Sequence, residues 1–182
     1  MSATFDAVRS RRSYSLVTPE APSHAELLPL VAAAGRVADH AALRPWRLLE
    51  LRGAARERLG AAFAAASALV GPDADRLAAK PLRAPLLLAV IASRKPSESV
   101  AVWEQDAAAA GVAHLLTLLL TDAGWGVMWR TGSHTRSGLV REVHELTADE
   151  ELLGWLYVGG QPTDCTPGKR LDINAEDFLR AL

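Results

Sequence analysis

Apolar and polar positions alternate along this chain in blocks that predict its elements. Phe5 and Val8 with flanking alanines outline a short helix ending near Ser10, broken by Ser13-Tyr14-Ser15 and Pro19. Ser23 followed by Glu26 has the form of a capping box, in which each residue satisfies a backbone donor of the other. It opens a helix through Leu27, Leu30, Val31 and Ala34 to about Val37. Arg47 to Leu51 reads as a strand behind Pro45, which has no N–H to give a ladder. The alanine-rich stretch from Ala54 to Leu69 predicts a helix, stopped by Gly71-Pro72-Asp73, with Asp73 capping a further short helix through Leu77.

The run from Ala84 to Ala92 is continuously apolar, as in a strand buried on both faces. The longest helix is expected from Glu98 to Ala123, closed by Gly124. Trp125 to Thr131 is a third strand, Leu139 to Glu145 a helical piece, and Leu152 to Gly159 a fourth strand. The tail from Gln161 to Leu182 is polar, with Pro162 and Pro167. Helices and strands do not alternate as in a doubly wound fold, so the expected class is α+β, a sheet flanked by helices. In the long helix, Ala107 to Ala110, Val112, Ala113, Leu115, Leu116 and Leu118 to Leu120 leave no polar face. A helix that is apolar all round is buried all round. In a chain this small, a partner subunit is the natural cover for its second side, which favours a homodimer.

Composition narrows the function. At 182 residues a single domain over 1–182 is expected. Hydrophobic residues make up 49% and the net charge is −1, which argues against disorder and against a basic nucleic-acid binder. Cys165 is the one cysteine, so no internal disulfide and no CxxC site can form. Met1 to Ser10 lacks the apolar stretch of a signal peptide, and Ala107 to Leu120 is too short to span a membrane. These features point to a soluble protein of the reducing cytoplasm.

Candidate chemistry is concentrated in Arg11-Arg12-Ser13 and Trp129-Arg130-Thr131-Gly132. Arg presents a planar fork of donors that fits phosphate oxygens, so the two segments could converge on one phosphate. Cations after a helix also serve its macrodipole, and Arg130 could equally pair with an acid at the surface. His40 lies in a loop after Asp39, while His24, His134 and His144 read as ordinary surface residues. His144-Glu145 has no second histidine four positions on, so the zinc-protease pattern fails. GxSxG, GxGxxG and the Walker A loop are absent, and no HxH and no clustered Cys or Asp set suggests a metal.

Taken together, these segments resemble the FMN-dependent nitroreductase family, in particular its short, YdjA-like members, from about Phe5 to Gly160. The resemblance rests on Arg11-Arg12-Ser13, Ala38-Asp39-His40, Arg44-Pro45-Trp46, Lys80 with Arg83-Ala84-Pro85, and Trp103-Glu104-Gln105. It continues through Gly124-Trp125-Gly126, Trp129 to Gly132, and Leu153 to Gly159. It implies a mainly antiparallel sheet in an intertwined homodimer, with FMN sites at the subunit interface and the tail from about 161 to 182 packed on the partner. Arg11, Arg12, Ser13, Arg130, Thr131 and Gly132 would bind FMN, with Arg36 and His40 contributed by the other subunit. Leu120, Thr121, Asp122, Ala123, Gly124 and Trp125 would line the nicotinamide or substrate side. The implied activity is ping-pong NAD(P)H oxidoreduction of nitroaromatic, quinone or similar acceptors, the flavin carrying the chemistry without a catalytic side chain. A dehydrogenase of one metabolite and a catalytically weak FMN-binding protein are the alternatives. One departure stands out: Arg44 precedes Pro45-Trp46 where many relatives have Gln.

Overall fold

The computed structural model describes residues 2–163 and 172–181. Four strands form one antiparallel sheet: β1 (Trp46–Leu51), β2 (Leu86–Ser93), β3 (Trp125–Arg130) and β4 (Glu150–Gly160), in the order β1-β2-β4-β3. Helices are α1 (Ala3–Ser10), α2 (His24–Ala34), α3 (Ala54–Ala65), α4 (Pro72–Ala78), α5 (Val102–Asp122) and α6 (Gly138–Val143). Since β2 and β3 both run antiparallel to β4, they are parallel to each other, and β4 lies between them. Helix α5 makes the crossover from β2 to β3. The class is α+β, as expected.

The unbroken apolar run of β2 is explained by its two covered faces. Leu87, Ala89 and Ile91 pack with Leu59 and Phe63 of α3, Leu77 of α4 and Val140 of α6. Leu86, Leu88 and Val90 pack with Leu27 and Ala34 of α2 and with Val112, Leu116 and Leu120 of α5. Alternation along a strand sends successive side chains into opposite cores.

A bulge in β4 sets up the functional region. Val90 pairs with Gly154 and Ile91 with Leu152, so Leu153 is an extra residue. Because of it, Leu152, Trp155 and Tyr157 all enter the α3/α6 core. Gly154 has φ +136°, and a Cβ there would stand 2.4 Å from the Arg130 carbonyl oxygen and 2.8 Å from Trp129 Nε1. Only glycine lets β3 and β4 approach so closely at that point.

Several boundaries differ from expectation for local reasons. Helix α2 has the Ser23–Glu26 capping box but ends at Ala34, capped by Gly35. Helix α3 stops at Ala65, and Ser67 Oγ then donates to the Ala64 carbonyl. Gly71, with φ +58°, caps α4 in place of Asp73, and Pro72 takes its first turn. Helix α5 starts at Val102, where Glu104 Oε1 accepts the Ala101 N–H at 3.1 Å. Its side toward the sheet is buried through Ala109, Val112, Ala113, Leu116 and Leu120. On its other side, where a partner subunit was the expected cover, Leu115 is exposed within one protomer, as are Val102 and Trp103 at its start, Trp103 at 71%. Among the described residues no helix is long and apolar enough to cross a membrane. Cys165 and the middle of the C-terminal tail lie outside the described residues; Ile173, Phe178 and Leu179 within it are exposed.

Candidate functional site

A cavity of about 380 Å³ opens where β3 ends against β4. Met128 to Arg130 of β3 and Thr131 just after it form one side, and Trp155 and Tyr157 of β4 form the floor. Phe63 of α3, Lys80 and Arg83 of the turn Lys80–Arg83, and His134 of the turn Ser133–Arg136 complete the lining. Among the described residues, three cations line it and no carboxylate does.

Arg130 is the best-defined of these cations. Its guanidinium lies 5.2 Å from the Tyr157 ring centroid, and Nη2 donates to the Ser15 carbonyl at 3.5 Å. Its Nε is buried without a hydrogen-bond partner, as is Trp129 Nε1. Burial pushes the Tyr157 phenol up to about 12, against the opposing charges of Arg130 and Arg83, so it stays protonated at neutral pH. Burial, with Lys80 adding to it, lowers the pKa of His134. Its ring stacks on Phe63 at 4.7 Å and 18°. The arrangement suits a flat, anionic, acceptor-rich molecule.

Two segments separated by over a hundred residues meet beside this cavity. Tyr14 N–H donates to the Val127 carbonyl at 3.0 Å, and Arg130 reaches Ser15, so the strand end and the segment after α1 lie together. Just before that segment Arg11 and Arg12 are half-buried, and Arg11 Nη1 donates to Ser13 Oγ at 3.3 Å. Arg130 and Thr131 line the cavity, whereas Arg11, Arg12, Ser13 and Gly132 are not in its lining. Gly132, at φ +129°, carries the chain out of β3 in a conformation that other residues rarely adopt.

Other expected residues lie elsewhere in the protomer. Arg36 is exposed beyond α2, and His40 Nδ1 is 2.9 Å from Glu104 Oε2 in the first turn of α5. Leu120 to Trp125 occupy the other end of that helix and the start of β3; Leu120 is fully buried and Thr121 Oγ1 donates to the Thr117 carbonyl. None of these eight lines the cavity. Between them, Ala41, Ala42 and Arg44 all have positive φ, and Asp39 Oδ2 accepts the Arg44 N–H at 2.7 Å. Three left-handed non-glycine residues within four positions store strain in that loop.

Sequence reasoning missed several lining residues. Lys80, Arg83, Trp155 and Tyr157 stood inside stretches that carried the family resemblance, which was the available signal. Phe63 sits in an alanine-rich helix and gave none. Two histidines need correction. His134 lines the cavity, held there by its stack on Phe63. His144 is 0% exposed, because α6 carries it under the sheet where Trp155 Nε1 donates to its Nε2 at 2.9 Å. Among the described residues, no group of three or more His, Cys, Asp or Glu is placed to hold a metal ion.

Comparison with known proteins settles the family. The Nitroreductase family model matches residues 8–160. The chain belongs to the nitroreductase family. It is 31% identical over 153 residues to an Escherichia coli (strain K12) protein named "Putative NAD(P)H nitroreductase YdjA", covering 82% of this chain and 84% of that one. The nitroreductase-like family protein of Bacillus cereus has the same fold, with a TM-score of 0.85 at 20% identity, covering 100% and 97% of the two chains. So does a nitroreductase named NfnB from "sphigopyxis sp. strain HMH", described as FMN- and NADPH-dependent, with a TM-score of 0.76 at 18% identity over 100% and 99%.

Proposed function

We propose that this family member is an FMN-dependent NAD(P)H oxidoreductase that reduces nitroaromatic, quinone or similarly electron-poor acceptors. The observation that carries the reading is Arg130, a cation that lines a cavity of aromatic walls together with Lys80 and Arg83, with no acid in the lining among the described residues. The residues fit FMN: Lys80, Arg83 and Arg130 suit its anionic phosphate and electron-rich ring carbonyls, and the aromatic walls suit its flat ring system. The names of YdjA and NfnB support a nicotinamide as reductant. Bound FMN supplies two-electron transfer between nicotinamide and acceptor.

The protein's share is binding and electrostatics. Arg11, Arg12 and Ser13 hold the phosphate with side-chain donors, because they follow the C-terminus of α1, where backbone carbonyls repel anions. Arg130, Thr131 and Gly132 offer a charge, a hydroxyl and an open backbone beside the ring system. Lys80 and Arg83 add positive charge that favours an electron-rich ligand, and the rings of Phe63, Trp129, Trp155 and Tyr157 keep water out. No side chain needs to act as acid or base. One cleft serving reductant and acceptor in turn predicts ping-pong kinetics.

The same reading makes the chain one cytoplasmic domain that works as a homodimer. Arg36 and His40, remote from their own cavity, would act in that of the partner subunit, and residues 120–125 would face the nicotinamide. Exposed Trp103, Leu115, Phe178 and Leu179 are apolar surface for such an interface and for a tail embracing the partner. Purified protein should be yellow or become so with FMN, run as a dimer, and bleach under anaerobic NADH or NADPH. A colourless chain that takes up no added FMN refutes the proposal. Bound FMN that neither nicotinamide bleaches makes it a flavin-binding protein without this activity.

A further inference from the structure

We propose that His144, buried behind the cavity and not in it, is a positioning residue: its imidazole locks the Trp155 indole, and through Phe63 the His134 ring, into one fixed cavity wall. Both ring nitrogens are committed. Nδ1 lies 2.7 Å from the Val140 carbonyl oxygen, which can only accept, so Nδ1 carries the hydrogen. Nε2 is therefore the bare acceptor, and the Trp155 indole N–H donates to it at 2.9 Å. The two partners leave one tautomer.

Rings carry this constraint to the cavity. The Trp155 indole meets Phe63 edge-on, at 5.3 Å and 71°, and Phe63 stacks on His134. Trp155, Phe63 and His134 all line the cavity, whereas His144 does not. Across the same cavity, the Trp129 indole N–H is buried with no partner. Of the two indoles in the lining, Trp155 is held by a hydrogen bond and Trp129 has none among the described residues. A buried polar pair with both partners satisfied selects one ring arrangement where apolar packing alone would tolerate several. Burial, aided by the nearby Arg47 and opposed by the Val140 carbonyl, keeps His144 unprotonated and able to accept.

The test compares His144→Gln, whose amide can accept from the indole and donate to Val140, with His144→Leu, which can do neither. The first readout is the Trp155 indole N–H resonance, assigned by its loss in Trp155→Phe, together with the His134 ring signals. The wild-type shifts are expected to persist in His144→Gln and to be lost or broadened in His144→Leu. The second readout rests on the flavin reading above: the FMN dissociation constant should rise about tenfold in His144→Leu and less than about twofold in His144→Gln. A folded His144→Leu with wild-type Trp155 and His134 signals overturns the inference. So does a folded His144→Gln that has lost them, and that variant decides if His144→Leu does not fold. A wild-type chain that binds no FMN sinks the flavin reading, while the resonances still decide the role of His144.

Discussion

Replacing Glu150 with Gln should cost stability in a way that depends on pH. Glu150 opens β4 with only 7% of its side chain exposed, and Arg47 of β1 grips it with Nε at 2.6 Å and Nη2 at 2.7 Å. Arg47 Nη2 also donates to the His144 and Glu145 carbonyls at the end of α6, so the pair ties β1, β4 and α6 together. The Arg47 fork, helped by Thr147 N–H and Ser93, lowers the Glu150 carboxyl from its usual 4.5 to about 2. At about 1.4 kcal/mol per pH unit, that difference is worth about 3 kcal/mol. Solvent reaching Arg47, which is 31% exposed, brings the expectation down to about 2 kcal/mol. The folded value is depressed, so this stability is fully present above pH 4.5 and is lost as pH falls toward 2. Urea unfolding of wild type and Glu150→Gln at pH 7, 5, 4 and 3 should therefore show a gap of about 2 kcal/mol that narrows below pH 4.5. A gap under about 0.5 kcal/mol at pH 7, or one that stays constant to pH 3, would refute the reasoning. Arg47→Met should be the more damaging change, because it strands a buried carboxylate.

Other outcomes follow from close contacts and from the candidate site. Gly154→Ala should destabilise by about 3 kcal/mol, because its Cβ would meet the Arg130 carbonyl oxygen at 2.4 Å in a strained φ; thermal unfolding checks this, and a wild-type midpoint would contradict it. Gly60→Ala, whose Cβ would fall 2.1 Å from the Ala78 carbonyl oxygen, should cost about 2 kcal/mol by forcing α3 and α4 apart, as read by urea unfolding. Arg11→Ala and Arg130→Met should each weaken FMN by about 1.5–3 kcal/mol in a fluorescence titration. Unchanged affinity in either removes that residue from the proposed site.

Much of the fold was legible along the chain because it rests on local patterns. The Ser23–Glu26 box, the apolar run of β2 and the glycine after α5 each act through near neighbours, and each marks its element. Helix ends slipped where a side chain or a nearby glycine took over the cap, as Gly71 did from Asp73. The candidate site was legible only in part. Arg130 and Thr131 announced themselves as charge and hydroxyl at a strand end, and both line the cavity. Phe63 and His134 did not, since nothing local distinguishes a core phenylalanine or a turn histidine from a wall residue.

Local order, the two-faced burial of β2 and the α+β class were determined by the amino-acid sequence alone, through periodicity and capping that act over a few residues. Tertiary structure decided which distant groups meet. The Leu153 bulge turned Trp155 and Tyr157 to the face that Leu152 occupies, and Gly154 let β3 approach β4. Through Ser15, Arg130 was drawn to the segment after α1. His144 went from an expected surface position to full burial beneath Trp155. Such contacts depend on the register and packing of elements far apart in the chain, and no periodicity in a linear string encodes them.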